Sequence, residues 1–289
     1  MNIGLMDIDG KHFPNLALMK LSAYHKQKKD NVEFVNFGEY DIIYKSKVFT
    51  FSPDKITGFF NSKKIIQGGI GYNMFENLPN EIEHICPDYS LYNCEHAYGF
   101  LTRGCIRKCS WCVVPKKEGK IHAASKINEF IADKKSAILM DNNVLASNFG
   151  LDQIENIISL RIKVDFNQGL DARIIAENTD IAKLLAKVRW LKAIRMACDT
   201  KEQMDSIEKA TSLLRKYHAT PQAYFVYILV KDIDDAIERV EFCRKLKLES
   251  FAQPYIDFEN NKVSKKVKQF ARWVNHKAIF KTVKWEDYK

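Results

Sequence analysis

Three cysteines, Cys105, Cys109 and Cys112, stand at spacing C-x3-C-x2-C in the run Gly104-Cys105-Ile106-Arg107-Lys108-Cys109-Ser110-Trp111-Cys112. Three thiolates so close in one flexible, basic loop can ligate three irons of a 4Fe-4S cluster. A cubane ordinarily takes four cysteines, so three local ligands leave one iron with an open position at which a further ligand can be activated. Arg107 and Lys108 should lower the thiol pKa values and offset the charge of an anionic cluster. A structural zinc site is the alternative. It would draw a fourth ligand from Cys94, His96 or His122, but zinc ligands usually come as two short clusters and no second short pair is present. The remaining cysteines, Cys86, Cys94, Cys198 and Cys243, are scattered and read as small buried apolar residues. An odd total of seven, without a secretion signal, argues against disulfides.

The nine-residue run resembles the signature of the radical S-adenosylmethionine superfamily, including the aromatic Trp111 directly before the third cysteine. The resemblance covers roughly residues 97 to 255. It implies a partial (β/α)6 barrel and a 4Fe-4S cluster on Cys105, Cys109 and Cys112. It also implies that the open iron chelates the amino and carboxylate groups of S-adenosylmethionine. One electron, from a donor such as flavodoxin or ferredoxin, would then cleave the sulfonium to a 5′-deoxyadenosyl radical that abstracts hydrogen from a substrate. In the family a small motif at the end of the second strand, often two glycines and a glutamate, binds the amino group. Here Met140-Asp141-Asn142-Asn143 departs from the glycine form, and Asp141 and Asn142 are the candidate acceptors, with an Asx turn as the alternative reading. After the third strand comes Asn167-Gln168-Gly169-Leu170-Asp171-Ala172-Arg173. Arg173 could hold a carboxylate by a bidentate pair, and Gln168 or Asp171 could reach ribose hydroxyls or substrate. With Trp111, Arg195 completes the candidate cofactor-binding set; Asp199 and Thr200 are weaker, and Tyr227 and Gln253 are substrate contacts or core. No residue is assigned a catalytic role.

These residues need a scaffold, and the chain supplies a rhythm of apolar runs and amphipathic stretches. Six strands are expected, at Tyr98 to Thr102, Ala137 to Asp141, Val164 to Gln168, Leu191 to Ala197, Ala223 to Val230 and Ser250 to Tyr255. Helices are expected at Lys126 to Asp133, Leu151 to Leu160, Asp180 to Val188, Lys201 to Tyr217, Ile233 to Leu246 and Val263 to Asn275, with Asp152, Asp180 and Asp232 as N-cap or first-turn acids. Six βα units predict an α/β fold with a parallel sheet, as an open barrel or a doubly wound sheet, and chemistry at the carboxyl ends of its strands.

Ahead of this, a helix from Pro14 to Tyr24 among short β-like runs suggests a small Rossmann-like α/β domain over residues 1–85. The expected organisation continues with the barrel over 86–260 and a basic C-terminal helix and tail over 261–289. The front domain resembles a shortened cobalamin-binding domain, and Gln67-Gly68-Gly69-Ile70-Gly71 resembles its glycine-rich strand end. The ligating D-x-H-x-x-G pattern is missing, because in Asp9-Gly10-Lys11-His12 the histidine is one place too far and position 15 is Asn15. Cobalamin is therefore not expected. His12 and His25 read as surface residues, and the glycines as a chain turn. The absence of cysteines from residues 1–85 disfavours the methylthiotransferase reaction, whose front domain supplies three.

The formal charge is +9, and residues 262–289 hold nine Lys and Arg against two acids. A nucleic-acid substrate, a base in RNA or DNA, is the expectation that follows; a solvated surface is the alternative. Two rival functions stay open, a peptide- or protein-modifying enzyme of the same superfamily and a nucleic-acid-binding protein with structural zinc or a structural cluster. The acidic start is unlike a secretory signal, and no stretch reaches the ~18 apolar residues of a membrane span. A cytoplasmic protein without a membrane partner is expected.

Overall fold

The computed structural model of the chain describes residues 1–10, 13–54, 58–256 and 262–288. The fold is mixed α/β with parallel sheets. It divides into two compact units, Met1–Gly99 with Ser125–Lys134, and Phe100–Ala124 with Lys135–Lys289.

In the front unit β1 (Asn2–Asp7), α1 (Leu16–Gln27), β2 (Asn31–Phe34), β3 (Phe37–Ser46) and β4 (Phe59–Gly68) give a parallel sheet of order β2-β1-β3-β4. Ile3 and Leu5 alternate onto the face that packs on Leu18 and Leu21 of α1. Asn15 caps that helix, its side chain accepting the Leu18 N–H at 3.2 Å. The short α2 (Asn80–Glu83) and β5 (Ala97–Gly99) complete this stretch. Residues 86–99 thus fall in the front unit rather than with the barrel. The reason is local: Asp88 accepts from Ser22 Oγ and Lys26 Nζ at 2.6 Å each, and its N–H donates to the Met19 carbonyl. His25 is not at the surface. It is buried between the Asp30 carboxylate at 2.7 Å and the Tyr44 hydroxyl at 3.1 Å, which offer both ring nitrogens a partner. Gly69 does turn the chain: its φ is +93°, and a Cβ there would lie 2.4 Å from the Lys47 carbonyl oxygen. The reading of His12 lies outside the described residues.

The larger unit begins with β6 (Thr102–Arg103), α3 (Val114–Lys117) and β7 (His122–Ala123), and the antiparallel β6–β7 pair closes the base of the cysteine loop. The first expected strand is therefore broken into β5 and β6. The helix expected over Lys126 to Asp133 is only the turn α4 (Ile127–Phe130), in the front unit, because Ala132 takes a left-handed φ of 48°. Then follow β8 (Ser136–Leu139), α5 (Asn148–Ser159), β9 (Lys163–Phe166), α6 (Ala172–Glu177), α7 (Thr179–Ala186), β10 (Arg189–Trp190), β11 (Ala193–Ala197), α8 (Met204–Lys216), β12 (Ala223–Val230), α9 (Ile233–Lys245), β13 (Glu249–Pro254), α10 (Lys265–Asn275) and α11 (Lys277–Thr282). The second to sixth expected strands are β8, β9, β11, β12 and β13.

Strands β8, β9 and β10 pair in parallel, as do β11, β12 and β13, and a parallel bridge between Leu170 and Met196 joins the two sets. Asp232 caps α9 by accepting the Asp235 N–H, and Asp180 sits in the first turn of α7. Asp152 does neither; α5 starts earlier, at a Ser147 cap, so Asp152 lies inside the helix. Beyond β13, the Asn275 side chain accepts the Ala252 N–H at 2.8 Å and donates to its carbonyl at 2.9 Å. The amide thus occupies the open strand edge as a further strand would. Cys198 and Cys243 are buried, whereas Cys86 and Cys94 are half-buried. Among the described residues no helix is long and apolar enough to cross a membrane.

Candidate functional site

Cys105, Cys109 and Cys112 line one cavity of about 370 Å³ in the larger unit. Its other walls come from the strand ends: Asn142 and Asn143 after β8, Gln168 to Arg173 after β9, Ala197 and Asp199 after β11, with Gln203 and Ser206 at the start of α8. The carboxyl ends of parallel strands converge there, which is why loops distant in sequence meet.

The cysteine loop is closed by Glu118, a lone acid among six basic residues from Arg103 to Lys120. Its carboxylate accepts from Arg103, from the Gly104 N–H and from the Asn142 amide, each at 2.8 Å. Gly104 has a φ of +79°, and a Cβ there would meet the Lys120 carbonyl oxygen at 2.3 Å, so glycine is required where the loop leaves β6. Cys105 Sγ receives the Arg107 N–H at 3.3 Å and the Asn143 side-chain amide at 3.5 Å.

The expectation that basic neighbours would lower the thiol pKa values fails at two positions. Burial pushes the Cys109 and Cys112 thiols up, against smaller opposing effects of Arg173 on Cys109 and of the Val114 N–H on Cys112. The physical reason is that desolvation of a half-buried thiolate outweighs the pull of a guanidinium that is itself shared with Asp171. Asp171 pairs with Arg107 Nε at 2.8 Å and Arg173 Nε at 2.9 Å. It also accepts from the Asn143 amide at 3.2 Å and, as the α6 N-cap, from the Arg173 N–H. Burial tends to raise the Asp171 pKa, but the hydrogen bonds and charges of the two arginines together hold it below the usual carboxylate value. Its stabilising contribution is therefore present above the unfolded carboxylate pKa and is lost as pH falls through the lower folded value. Asp171→Asn keeps a capping oxygen but discharges both pairs, and a loss of about 2 kcal/mol is expected in urea unfolding at pH 7, shrinking as pH falls toward 3.

Trp111 lines the cavity and donates its indole N–H to Asp199, a carboxyl that burial pushes up. The Lys231 ammonium lies 4.6 Å from the Trp111 ring centroid and 4.6 Å from that of Tyr255. The ring is thus fixed from both sides.

Of the residues singled out from sequence, Cys105, Cys109, Cys112, Trp111, Asn142, Gln168, Asp171 and Arg173 meet around the cavity. Asp141 and Arg195 are not part of its wall. Asp141 is buried and accepts from the Leu101 N–H at 3.2 Å, the Thr102 N–H at 2.5 Å and the Thr102 hydroxyl at 2.8 Å; it fastens the chain entering β6. Arg195 forms a bidentate pair with Asp165 at 2.7 and 2.9 Å and reaches the Tyr227 hydroxyl at 3.3 Å. Asn142 and Asn143 line the cavity, whereas the Asp141 carboxylate is taken up by the donors of Leu101 and Thr102. Asn143 Oδ1 is buried there without a hydrogen-bond partner. Glu118, Gln203 and Ser206 had no sequence signal of their own.

No protein-family model and no curated protein matches the chain. Among solved structures, it is similar to the crystal structure of Streptococcus suis SuiB bound to S-adenosylmethionine, with a TM-score of 0.44 and 12% identity over 64% of this chain. The match covers 48% of SuiB, so the chain spans about half the length of that protein.

Proposed function

We propose that the chain is a radical S-adenosylmethionine enzyme of partial-barrel architecture. The carrying observation is that the three thiols of the C-x3-C-x2-C loop line one cavity together with the ends of β8, β9 and β11. The residues present fit an iron–sulfur cluster. One sulfur already receives two N–H donors, and the Asn143 side chain that supplies one of them carries a buried oxygen, Oδ1, without a hydrogen-bond partner. Among the described residues no three His, Cys, Asp or Glu side chains are placed to hold one metal ion. Thiolates on three separate irons have no need to converge on a point, as zinc ligands must. Of the suggested fourth zinc ligands, His122 is exposed with its ring nitrogen on the Lys120 carbonyl.

Cys105, Cys109 and Cys112 would hold the cluster, which when reduced would supply one electron for cleavage of S-adenosylmethionine to methionine and a 5′-deoxyadenosyl radical, which would become 5′-deoxyadenosine by taking a hydrogen atom from the substrate. The chain's own part is binding and orientation. Asn143 Oδ1 would accept from the ammonium of the methionyl group. Asp171 keeps Arg107 and Arg173 at the cavity wall, where a carboxylate can draw on either guanidinium. Trp111, fixed by Asp199 and Lys231, closes the space beside Cys112. Anaerobic iron and sulfide analysis followed by a dithionite assay for 5′-deoxyadenosine tests the reading: about four irons per chain and product support it, and zinc in place of iron overturns it.

For the substrate we propose a nucleic acid. Along α10 the exposed Lys265, Lys268, Arg272 and His276 fall on one helical stripe, the helix carries no acid, and its opposite face is buried through Phe270, Trp273 and Val274. Lysines in a first turn oppose the helix dipole by about 0.3–1 kcal/mol each, a cost that a bound polyanion offsets. With the apolar face buried in protein, the helix is not free to lie in a membrane. Replacing Lys265, Lys268 and Arg272 together by Gln is expected to reduce the slope of log K against log salt for single-stranded RNA by about 2, read by fluorescence anisotropy. An unchanged slope removes this surface from the interface.

A further inference from the structure

The sheet beside the cysteine cavity carries an aromatic face that the proposed cofactor site does not use. Burial alternates along β12: Val226, Ile228 and Val230 are fully buried, while Phe225, Tyr227 and Leu229 are half-buried on the opposite side. On β13 the Ser250 side chain meets Cys243 of α9, and Ala252 is fully buried with it. Phe251 and Gln253 therefore turn to the other face, where Phe251 is 38% exposed and Gln253 is exposed. The parallel register sets Ala197 beside Tyr227, Tyr227 beside Phe251, and Leu229 beside Gln253. Ala197 is also a wall residue of the cysteine cavity, so the aromatic face adjoins the cavity wall at that strand.

Three rings form a triangle on that face. Phe225 and Tyr227 meet edge-on at 5.1 Å, Tyr227 and Phe251 edge-on at 6.1 Å, and Phe225 and Phe251 stack at 5.9 Å with 29° between planes. The triangle is anchored. The Tyr227 hydroxyl donates to the Asn167 carbonyl at 3.0 Å, and the Arg195 guanidinium, held by Asp165, lies 5.0 Å from the Phe225 centroid. An aromatic cluster that served only as core would bury its outermost ring. This one leaves Phe251 open, beside an amide that can both donate and accept.

We propose that this face is the substrate platform and that its occupant is a nucleobase, stacked on Phe251 with its edge toward Gln253. The proposal rests on the reading of the cysteine cavity as the reaction site. A planar ring with polar edges matches both parts, since stacking takes any base and the amide meets heteroatoms that an aromatic side chain of a peptide lacks. The Arg195–Asp165 pair acts here by fixing the Phe225 ring, in place of the cofactor contact expected of Arg195 from sequence.

The test is fluorescence anisotropy of the full chain with a labelled single-stranded RNA of about 12 nucleotides and with an abasic strand of the same length. Wild type should bind the RNA more tightly than the abasic strand. Phe251→Ala should weaken RNA binding by about 5- to 150-fold, the range for losing one stacked base, and leave abasic binding unchanged. Phe251→Tyr should restore it. Equal binding of the two strands by wild type, unaltered RNA binding by Phe251→Ala, or binding of a tyrosine-rich peptide in place of RNA would each overturn the assignment. The readout does not involve turnover. A chain without a cluster that shows this pattern keeps the platform and loses the proposed reaction, whereas a clustered chain without the pattern does the reverse.

Discussion

Cys109→Ala is expected to lower bound iron from about four per chain to background and to abolish 5′-deoxyadenosine formation with it. A cubane held by three protein thiolates has no spare ligand, so removing one leaves two irons without protein attachment. The fold should tolerate the change. Cys109 is half-buried in a loop whose base is held by the β6–β7 pair and by Glu118, neither of which involves its sulfur. An unfolding midpoint near that of wild type, within about 1 kcal/mol, would separate loss of the cluster from loss of the fold. Full iron content in the variant would show that the loop is not the cluster site. One zinc per wild-type chain would move the protein to the structural-metal reading.

Asp141→Ala should have the largest effect on stability among the residues suggested from sequence. Removing the carboxylate leaves three donors, the N–H groups of Leu101 and Thr102 and the Thr102 hydroxyl, without their acceptor in a buried site. Each orphaned group costs about 1–3 kcal/mol. An opposing effect reduces the loss. Burial raises the Asp141 pKa from 3.8 to about 6, outweighing the hydrogen bonds that lower it, so at pH 7 the ionised group detracts from stability and its removal relieves that strain. The donors win, and a net loss on the order of 2–4 kcal/mol is expected at pH 7. The sign of the pH dependence follows from the raised folded value. The stability linked to this carboxyl is fully present below 3.8 and is lost as pH rises through about 6. Wild type should therefore gain on Asp141→Ala as pH falls from 7 to 5, by about 1 kcal/mol, in paired urea titrations. A gap that narrows over that interval would mean that Asp141 ionises as an ordinary carboxylate does.

Asp141 and Asn143 also show how the site became readable only in part. Polar residues after an apolar strand mark the strand end, and parallel order puts such ends on one side of a sheet. Composition and spacing thus picked out Asn142, Gln168, Asp171 and Arg173, which line the cavity with the cysteines. That Asn142 and Asn143 line the cavity while Asp141 turns to Leu101 and Thr102 depends on the turn after β8 and on the chain entering β6, neither of which the local sequence fixes. Arg195 lies off the cavity wall, paired with Asp165, for a related reason. An arginine near a strand end reads as a ligand for an anion until the neighbouring strand is known to carry Asp165 opposite it.

By itself the sequence determined that three thiols share one loop, because three cysteines within eight positions are close in any fold, and the βα rhythm, because apolar periodicity is set by the burial of each element. Tertiary structure alone decided the rest. It joined Glu118 to the base of the cysteine loop, tied Arg107 and Arg173 to Asp171, buried Cys109 and Cys112 enough to raise their thiols, and divided the first strand between two units. It also gathered Phe225, Tyr227 and Phe251 on one face of the sheet. Each of these depends on contacts between residues far apart in the chain, whose distance and orientation are fixed by packing and not by the order of the amino acids.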